Sequence, residues 1–251
     1  MKKICFIAIL ALAGCQSQQI LHFDNAVLAT EGPVEINVQL FRGNVTIIAD
    51  PSVIGTVVTA KQIEESAGEL PSDAPKMQCT TEIEMGDNGQ IVHVKATGMH
   101  DVLQLIHADI VIRSKFIHGV SVTTTKGNVT LLGVSGAITV YTNDGDVRLI
   151  TPRVINQPVT IENRRGDIVY RVRGESSGMI DAMAINGDAS LDVRHGEATI
   201  LSGSTGDHLV AIVNCGTNKI IMRTVDGNIY IAVVADPVGS EPLFETDWIY
   251  W

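Results

Sequence analysis

The sequence has 251 residues, a formal net charge of −10 and 45% apolar residues, which excludes a disordered chain and argues against a nucleic-acid partner. No basic run is longer than Arg164-Arg165, whereas binding a polyanion needs clustered Lys and Arg. Aromatic residues make up 4%, while Val, Ile, Thr and Gly recur throughout, so the composition predicts an all-β fold of short strands and tight turns.

The chain begins with the pattern of an export signal. Lys2 and Lys3 precede an apolar stretch over residues 4–12. That stretch is shorter than the roughly 20 residues of a bilayer span but suits the core of a signal peptide. It ends in Leu12-Ala13-Gly14-Cys15, which resembles the lipobox of bacterial lipoproteins. The resemblance implies that a signal peptide of residues 1–14 is removed and that Cys15 is lipidated.

The residues after the cysteine indicate a destination. An aspartate next to the cysteine resembles an inner-membrane retention signal, and this chain has Gln16 there, so we expect the outer membrane. Residues 15–19 then form a lipidated tether that extends to at most about 14 Å after the cysteine. Loss of Lys2 and Lys3 moves the net charge from −10 to −12. The sequence therefore predicts a cell-envelope protein, lipid-anchored at the periplasmic face of the outer membrane or at the cell surface.

A repeat organises the rest of the chain. The residues seven and five before certain glycines, and two and four after them, are all apolar, and the next residue is Asn or Asp. The pattern is shared by Gly43, Gly127, Gly145, Gly166, Gly187 and Gly227. Alternation at period two predicts a strand on each side of the glycine with one face inward. The glycine and its Asn or Asp predict a turn with positive φ, in which the polar side chain bonds its own backbone.

The repeat fits two all-β architectures. A two-residue hairpin would direct the residue three before each glycine inward, and four of these six residues are polar: Leu40, Thr124, Thr142, Asn163, Ala184 and Thr224. Outward placement of this column implies a wider turn. We therefore predict a single-domain β-solenoid over residues 20–235, with about 20 residues per coil and roughly ten coils. An antiparallel β meander or sandwich is the alternative.

Several segments carry a family resemblance. They are Val45-Thr46-Ile47-Ile48-Ala49-Asp50, Asp109-Ile110-Val111-Ile112, Gly119-Val120-Ser121-Val122, and residues 127–136 and 142–147. Over residues 30–235 the chain resembles the putative-adhesin domain of unknown function found in bacterial envelope proteins. The resemblance implies a right-handed, β-helix-like solenoid and identifies no catalytic side chain.

The sequence offers few groups for catalysis or for metal binding. Five aspartates recur at turns, but without the repeat of a calcium β-roll: Asp144, Asp146, Asp167, Asp188 and Asp207. Three histidines are spaced by seven, which alternates between the faces of a strand: His93, His100 and His107. Arg165-Gly166-Asp167 has the register of the other repeat turns and is interpreted as one. We expect no metal, no cofactor and no enzyme activity.

Three features leave alternatives open. Cys79 and Cys215 would enter a compartment that permits disulfides, and the sequence does not decide whether they pair. Residues 62–76 are polar and contain two prolines, which indicates a surface excursion or a ligand contact. Residues 236–251 carry Phe244, Trp248, Tyr250 and Trp251, which predicts an aromatic cap over the last open edge or a patch that docks a partner.

Two main functions remain. Ladders of Thr, Ser and Asn favour a noncatalytic binding or adhesion module for an envelope polymer, glycan or protein. The short tether favours an envelope structural or stress-response scaffold. A polysaccharide lyase or hydrolase is less favoured, because it needs clustered Asp, Lys or Arg on an outward sheet face. The positions three after the glycines, expected to face outward, contain one charge: Thr46, Thr130, Arg148, Val169, Ser190 and Tyr230.

Replacing Cys15 with Ala tests the anchor. We expect Cys15→Ala to abolish palmitate labelling and to release the protein from the membrane fraction, because the predicted attachment depends on this thiol. Radiolabelled palmitate uptake and membrane fractionation measure both effects. Unchanged labelling and fractionation would contradict the prediction.

Overall fold

The computed structural model describes residues 17–21, 25–64, 77–87, 89–97 and 106–239, and it consists of β-strands joined by turns. The described strands are β1 Ser17–Leu21, β2 Asn25–Leu28, β3 Val34–Arg42, β4 Val45–Ala49, β5 Thr56–Glu64, β6 Gln78–Gly86, β7 Gly89–Thr97, β8 Ile106–Ser114, β9 Ile117–Lys126, β10 Val129–Leu132, β11 Ser135–Asp144, β12 Val147–Thr151, β13 Val159–Arg165, β14 Ile168–Arg173, β15 Gly178–Ala184, β16 Ala189–Val193, β17 Ala198–Ile200, β18 His208–Val213, β19 Lys219–Thr224 and β20 Ile229–Val234. The all-β prediction is confirmed.

These strands form two sheets that enclose one core. The first sheet has the order β1-β6-β7-β3-β9-β11-β13-β19-β15-β18-β17, and the second has the order β16-β20-β14-β12-β10-β4-β8-β5-β2. Each coil contributes one strand to each sheet, as β11 and β12 do on either side of Gly145. Neighbouring coils pair in parallel, for example Val140 with Ile161 and Leu149 with Tyr170. The structure therefore confirms a single-domain β-solenoid, and the meander alternative is wrong.

The coils do not stack in chain order. In the described residues the spatial order of the seven coils is β7/β8, β3/β4, β9/β10, β11/β12, β13/β14, β19/β20 and β15/β16. The expectation of ten coils is wrong, because the remaining strands pair antiparallel as hairpins and extensions at the two ends. Chain order is kept in the middle of the stack, while β7/β8 and β19/β20 lie beside coils that are distant in sequence.

The repeat explains the core. Of the apolar positions that flank the six glycines, all are buried except Ala189 and Leu191, which are partly buried on the end strand β16. Side chains alternate along each strand, so Val120 and Val122 in β9 face the core while Ser121 and Thr123 face outward. The predicted inward register is correct on both sides of every turn.

The prediction for the column three before each glycine is wrong. Leu40, Thr124, Thr142, Asn163, Ala184 and Thr224 are all buried rather than outward. Period-two alternation extends to the end of the strand, so these residues share the inward face whatever their polarity. Two of them bond a turn carbonyl one coil away: Asn163 Nδ2 donates to Gly145 O at 2.8 Å, and Thr224 Oγ1 donates to Gly166 O at 3.0 Å.

The six glycines stack along one edge of the solenoid, which we call the glycine edge. A Cβ atom on any of them would lie within 2.5 Å of a carbonyl oxygen in the adjacent coil. Gly43, Gly127, Gly145 and Gly166 also have φ between 125° and 135°, a range that other residues rarely adopt. Gly187 lies outside that range, so at this position the close approach alone excludes a side chain.

An Asn and Asp ladder follows the glycines along the same edge. At six successive steps, the side-chain oxygen of one residue accepts the backbone N–H of the equivalent residue in the next coil, at 2.8–3.0 Å. The ladder runs Asp109, Asn44, Asn128, Asp146, Asp167, Asn228 and Asp188. The expectation that these side chains bond their own backbone is wrong, because stacked turns bring a donor of the neighbouring coil within reach.

Gly145→Ala tests the close stacking of the turns. The new Cβ would lie 2.6 Å from the carbonyl carbon of Gly127, in a backbone with φ of 135°. We expect a loss of about 2–5 kcal/mol in the free energy of unfolding, because a backbone clash and conformational strain add. Gly206→Ala is the control, since the nearest atom there is 3.5 Å away and a change within about 0.5 kcal/mol is expected. Equal urea midpoints for the two variants would contradict the stacking.

Candidate binding face

The outer face of the first sheet is exposed, and we call it the platform. Because the strands pair in register, outward residues form rows that cross the sheet. One row is Asn37, Ser121, Thr139, Thr160, Ile221 and Asp181, and the next is Gln39, Thr123, Tyr141, Glu162, Arg223 and Met183. All of these residues are at least partly exposed. The platform is therefore a periodic polar surface rather than a cleft.

Tyr141 stands near the middle of the platform with 43% of its surface exposed. Thr123 lies beside it on β9, and Glu162 lies beside it on β13. These three residues help to line a shallow depression of about 330 Å³, together with Asn143 and Arg164. An exposed aromatic ring flanked by hydroxyl, amide and carboxylate groups can stack on an apolar ring face and bond its polar rim.

A second shallow depression lies on the same surface, toward the β6 end of the sheet. Its outward side chains come from three neighbouring strands, with acids on β6, bases on β7 and amides on β3: Glu82, Glu84, His93, Lys95, Asn37 and Gln39. Glu84 and His93 pair across β6 and β7, with Nε2 to Oε2 at 3.0 Å. The platform thus offers hydrogen-bonding groups of both polarities along most of its length.

A charged cluster lies near the other end of the platform. Asp181 on β15 receives a hydrogen bond from Arg223 Nη2 at 2.7 Å and contacts His208 Nε2 at 2.9 Å. Arg223 Nη1 also donates to the backbone oxygen of Asp181 at 2.6 Å. Burial acts to raise the pKa of Asp181, but the hydrogen bonds from Arg223 and His208 outweigh it and hold that pKa below its usual value. Both carboxylate oxygens are engaged, which disfavours a role as a general base.

The repeat register could have revealed these platform residues. Tyr141, Glu162 and Arg223 each stand four residues before a repeat glycine, a position that alternation directs outward.

The residues three positions after each glycine lie on the second sheet instead, where they form one row across the strands. Arg148 and Val169 in that row are buried rather than outward-exposed. The Asp181–Arg223 contact could not be found from the sequence, because it depends on the coil order.

The aspartates and histidines singled out from the sequence lie at different places in the described residues and do not form one site. Asp146, Asp167 and Asp188 belong to the ladder, while Asp144 pairs with Arg165 at 3.0 Å. Asp207 bonds Thr205. His93 is on the first sheet and His107 on the second, and His100 lies outside the described residues. Within the described ranges no group of three His, Cys, Asp or Glu could hold a metal ion.

The two cysteines do not pair. Cys79 is buried in β6, and Cys215 is exposed in the turn before β19. Burial raises the pKa of the Cys79 thiol to about 11, so at neutral pH the thiol stays protonated and unreactive. Cys79 therefore serves as a small core residue.

Several predicted segments lie outside the described residues. They are the signal peptide, Cys15, residues 65–76 of the polar excursion and residues 240–251 of the aromatic tail. Across the described ranges, no helix is long and apolar enough to cross a membrane. The membrane anchor thus remains a prediction.

Asp181→Asn tests the charged cluster. A carboxylate with a lowered pKa stabilises the fold above its unfolded pKa of about 3.9, and this contribution disappears as pH falls through the folded value. We expect Asp181→Asn to lower the free energy of unfolding near pH 7 by less than about 1 kcal/mol, because solvent screens the pair. The two proteins should converge at the acid end of a urea-unfolding series. A difference independent of pH would contradict the assignment.

Comparisons with known proteins give a family and a fold. The model of the family described as Toastrack DUF4097 matches residues 35–232. The crystal structure of a protein described as a putative cell adhesion protein, from Clostridium sporogenes ATCC 15579, is similar with a TM-score of 0.56 and 12% identity. The match covers 87% of this chain and 99% of that one. No curated protein matches the chain. Both matches agree with the family resemblance in the sequence.

Proposed function

This chain belongs to the Toastrack DUF4097 family, and from that premise we propose that it is a noncatalytic, lipid-anchored binding module of the cell envelope. The platform carries the proposal: an open polar sheet face with Tyr141 at its centre. The ligand class that we propose is a glycan from an envelope or surface polysaccharide. The regularly spaced hydroxyl groups of such a polymer can form hydrogen bonds with the rows of Thr, Asn, Gln and Glu on the platform. The cell adhesion description of the structurally similar protein supports this reading.

The rigidity of the platform favours binding. Its strands pair on both sides over most of the face, so the side chains are held at fixed spacing. Little conformational freedom is lost when a long polymer lies across such a surface, and many weak contacts then add. Catalysis would need a framed nucleophile or a free acid–base pair. The charged cluster does not supply such a group, because Arg223 and His208 bond the two carboxylate oxygens of Asp181.

The start of the first sheet supports anchoring close to the membrane. Strand β1 begins at Ser17 and pairs with β6, so Gln16 alone separates it from Cys15. A lipid on Cys15 would hold this end of the sheet within about 7 Å of the membrane surface. The sheet has eleven strands and so extends about 48 Å across the strands. The platform would therefore present binding groups well beyond the anchor.

A structural scaffold in the envelope is the second candidate, and the short connection between Cys15 and Ser17 favours it. Surface accessibility distinguishes adhesion to other cells from a scaffold that faces the periplasm. Limited protease treatment of intact cells should remove an exposed adhesion module and should spare a scaffold that faces the periplasm. The binding proposal allows either side, whereas adhesion to other cells requires exposure.

Tyr141→Ala tests the platform. We expect residues 16–251 to bind peptidoglycan, lipopolysaccharide or a host or plant glycan in a pull-down, without new product masses in mass spectrometry. Loss of the exposed ring should weaken that binding about tenfold, or 1.4 kcal/mol. Phe116→Ala is the control, because Phe116 is equally exposed at 42% but lies in a turn away from the platform.

Two results would overturn the proposal. Equal binding by Tyr141→Ala and Phe116→Ala would remove the platform as the site. New products, lost when Asp181 or Glu162 is replaced, would show catalysis and revive the polysaccharide lyase or hydrolase.

A further inference from the structure

The edge of the solenoid opposite the glycine edge is where the chain passes from the second sheet back to the first, and we call it the return edge. Among the large apolar residues of the described ranges, Ile54, Met85 and Val27 have the highest exposed fractions, at 91%, 74% and 69%. Ile54 lies in the turn before β5, Met85 precedes the β6–β7 turn, and Val27 is one residue from the end of β2. Strands β2, β5 and β6 lie at the same end of the two sheets. The three side chains are therefore gathered at one corner of the solenoid.

Two cations flank an aromatic ring beside this corner. Lys115 Nζ lies 5.5 Å from the centroid of the Phe116 ring, and Arg153 Cζ lies 5.8 Å from it. Ile54, Lys115 and Phe116 line the same shallow depression. Both cations are exposed, and across the described ranges neither forms an ion pair with a carboxylate. The ring thus holds two positive charges at the surface, where a ligand can reach them.

The first described strand brings the start of the chain to the same corner. Strand β1 runs parallel to β7, because both pair antiparallel with β6. Its first residue, Ser17, is paired with Ile83, two residues before Met85. In the mature chain Cys15 and Gln16 precede Ser17, and two residues span about 7 Å. A lipid on Cys15 would therefore enter a membrane beside the exposed apolar side chains.

We propose that this corner is a membrane-contact site that holds the domain against a phospholipid surface, an inference that rests on the lipid anchor of the proposed function. The apolar side chains enter the headgroup region and so leave water. The two cations bond lipid phosphates, while their aliphatic stems lie along the apolar contact. We call the five residues that make these contacts the contact corner: Val27, Ile54, Met85, Lys115 and Arg153.

Acidic residues on the return edge limit the depth of the contact. Glu31 and Asp87 are both exposed there, and a carboxylate is costly to remove from water. The contact therefore stays within the headgroup layer. The charges of Lys115 and Arg153 offset those of the two acids, so the apolar side chains rather than net charge provide the adhesion.

This contact leaves the platform clear of the bilayer. Strands β3, β9, β11 and β13 run from the return edge to the glycine edge, so they rise away from a membrane that touches the contact corner. Tyr141 is the seventh residue of β11, which places it about 20 Å from the return edge. The platform then stands at a steep angle to the membrane, and a polymer can reach it from the side.

Lipid photolabelling tests the proposal on residues 15–251 with Cys215→Ser. The thiol of Cys15 is coupled to a maleimide phospholipid in vesicles of phosphatidylethanolamine and phosphatidylglycerol that also contain a diazirine phospholipid, while Cys79 is buried and does not react. Mass spectrometry should find about fivefold more label at the contact corner than at the glycine edge. Because the coupling replaces lipidation in the cell, this result does not depend on whether Cys15 is acylated there.

A matched pair of variants separates the contact corner from the tether. Ile54→Glu with Met85→Glu should reduce labelling of the tryptic peptide that begins at Phe116 about fivefold, because carboxylates resist transfer into lipid. Ile185→Glu with Ile200→Glu is the control, since these residues are 58% and 60% exposed but lie at the other end of the solenoid. The control should retain the labelling of the unaltered chain.

Three results would overturn the proposal. Label spread evenly around the domain, or equal labelling of the two variants, would show that the tether alone holds the domain. A dimer of the uncoupled chain in analytical ultracentrifugation that is lost with Ile54→Glu and Met85→Glu would assign the corner to a second copy of the chain.

Discussion

At the glycine edge, successive coils approach so closely that a carbonyl oxygen occupies the space that a Cβ atom would need. This approach sets the spacing and register of the whole stack. It brings each Asn or Asp within 2.8–3.0 Å of a backbone N–H in the next coil, which satisfies donors that strand pairing leaves at the turns. The parallel pairing of both sheets and the alignment of the core follow from the same register.

The register between coils aligns equivalent repeat positions and so forms the continuous outer surface that we propose binds a ligand. Residues at one repeat position line up across strands whether or not their coils are neighbours in sequence. Tyr141 thus lies beside Glu162 on the next strand, and Arg223 meets Asp181 across 42 residues of chain. The two outer faces differ in use: the first sheet presents an open polar platform, and the second buries Arg171 and its apolar neighbours. We assign binding to the open face.

The core residues could be predicted from the sequence, because they depend on local alternation along each strand. The order of the coils could not be predicted, because it depends on competition between coils of similar sequence. Val120, Val122, Val129 and Leu131 follow from period two and are buried. The polarity of Thr124 and Thr142 predicts an outward position, but strand alternation directs both side chains inward and both are buried. The position of the Gly227 coil between those of Gly166 and Gly187 could not be predicted. All coils carry the same apolar pattern, so the pattern does not distinguish their neighbours.

The coil order is the central claim, because Glu162 can neighbour Arg223, and Asp181 can contact both Arg223 and His208, only if β19 lies between β13 and β15. Disulfide trapping in a Cys215→Ser background tests it with two pairs of outward residues. Thr160→Cys with Ile221→Cys should form a disulfide on mild oxidation, because paired positions on adjacent strands lie about 4.8 Å apart. Thr160→Cys with Asp181→Cys should not, because the intervening strand separates them by about 10 Å, beyond the roughly 7 Å limit. A disulfide in the second pair but not in the first would show stacking in chain order and contradict the account.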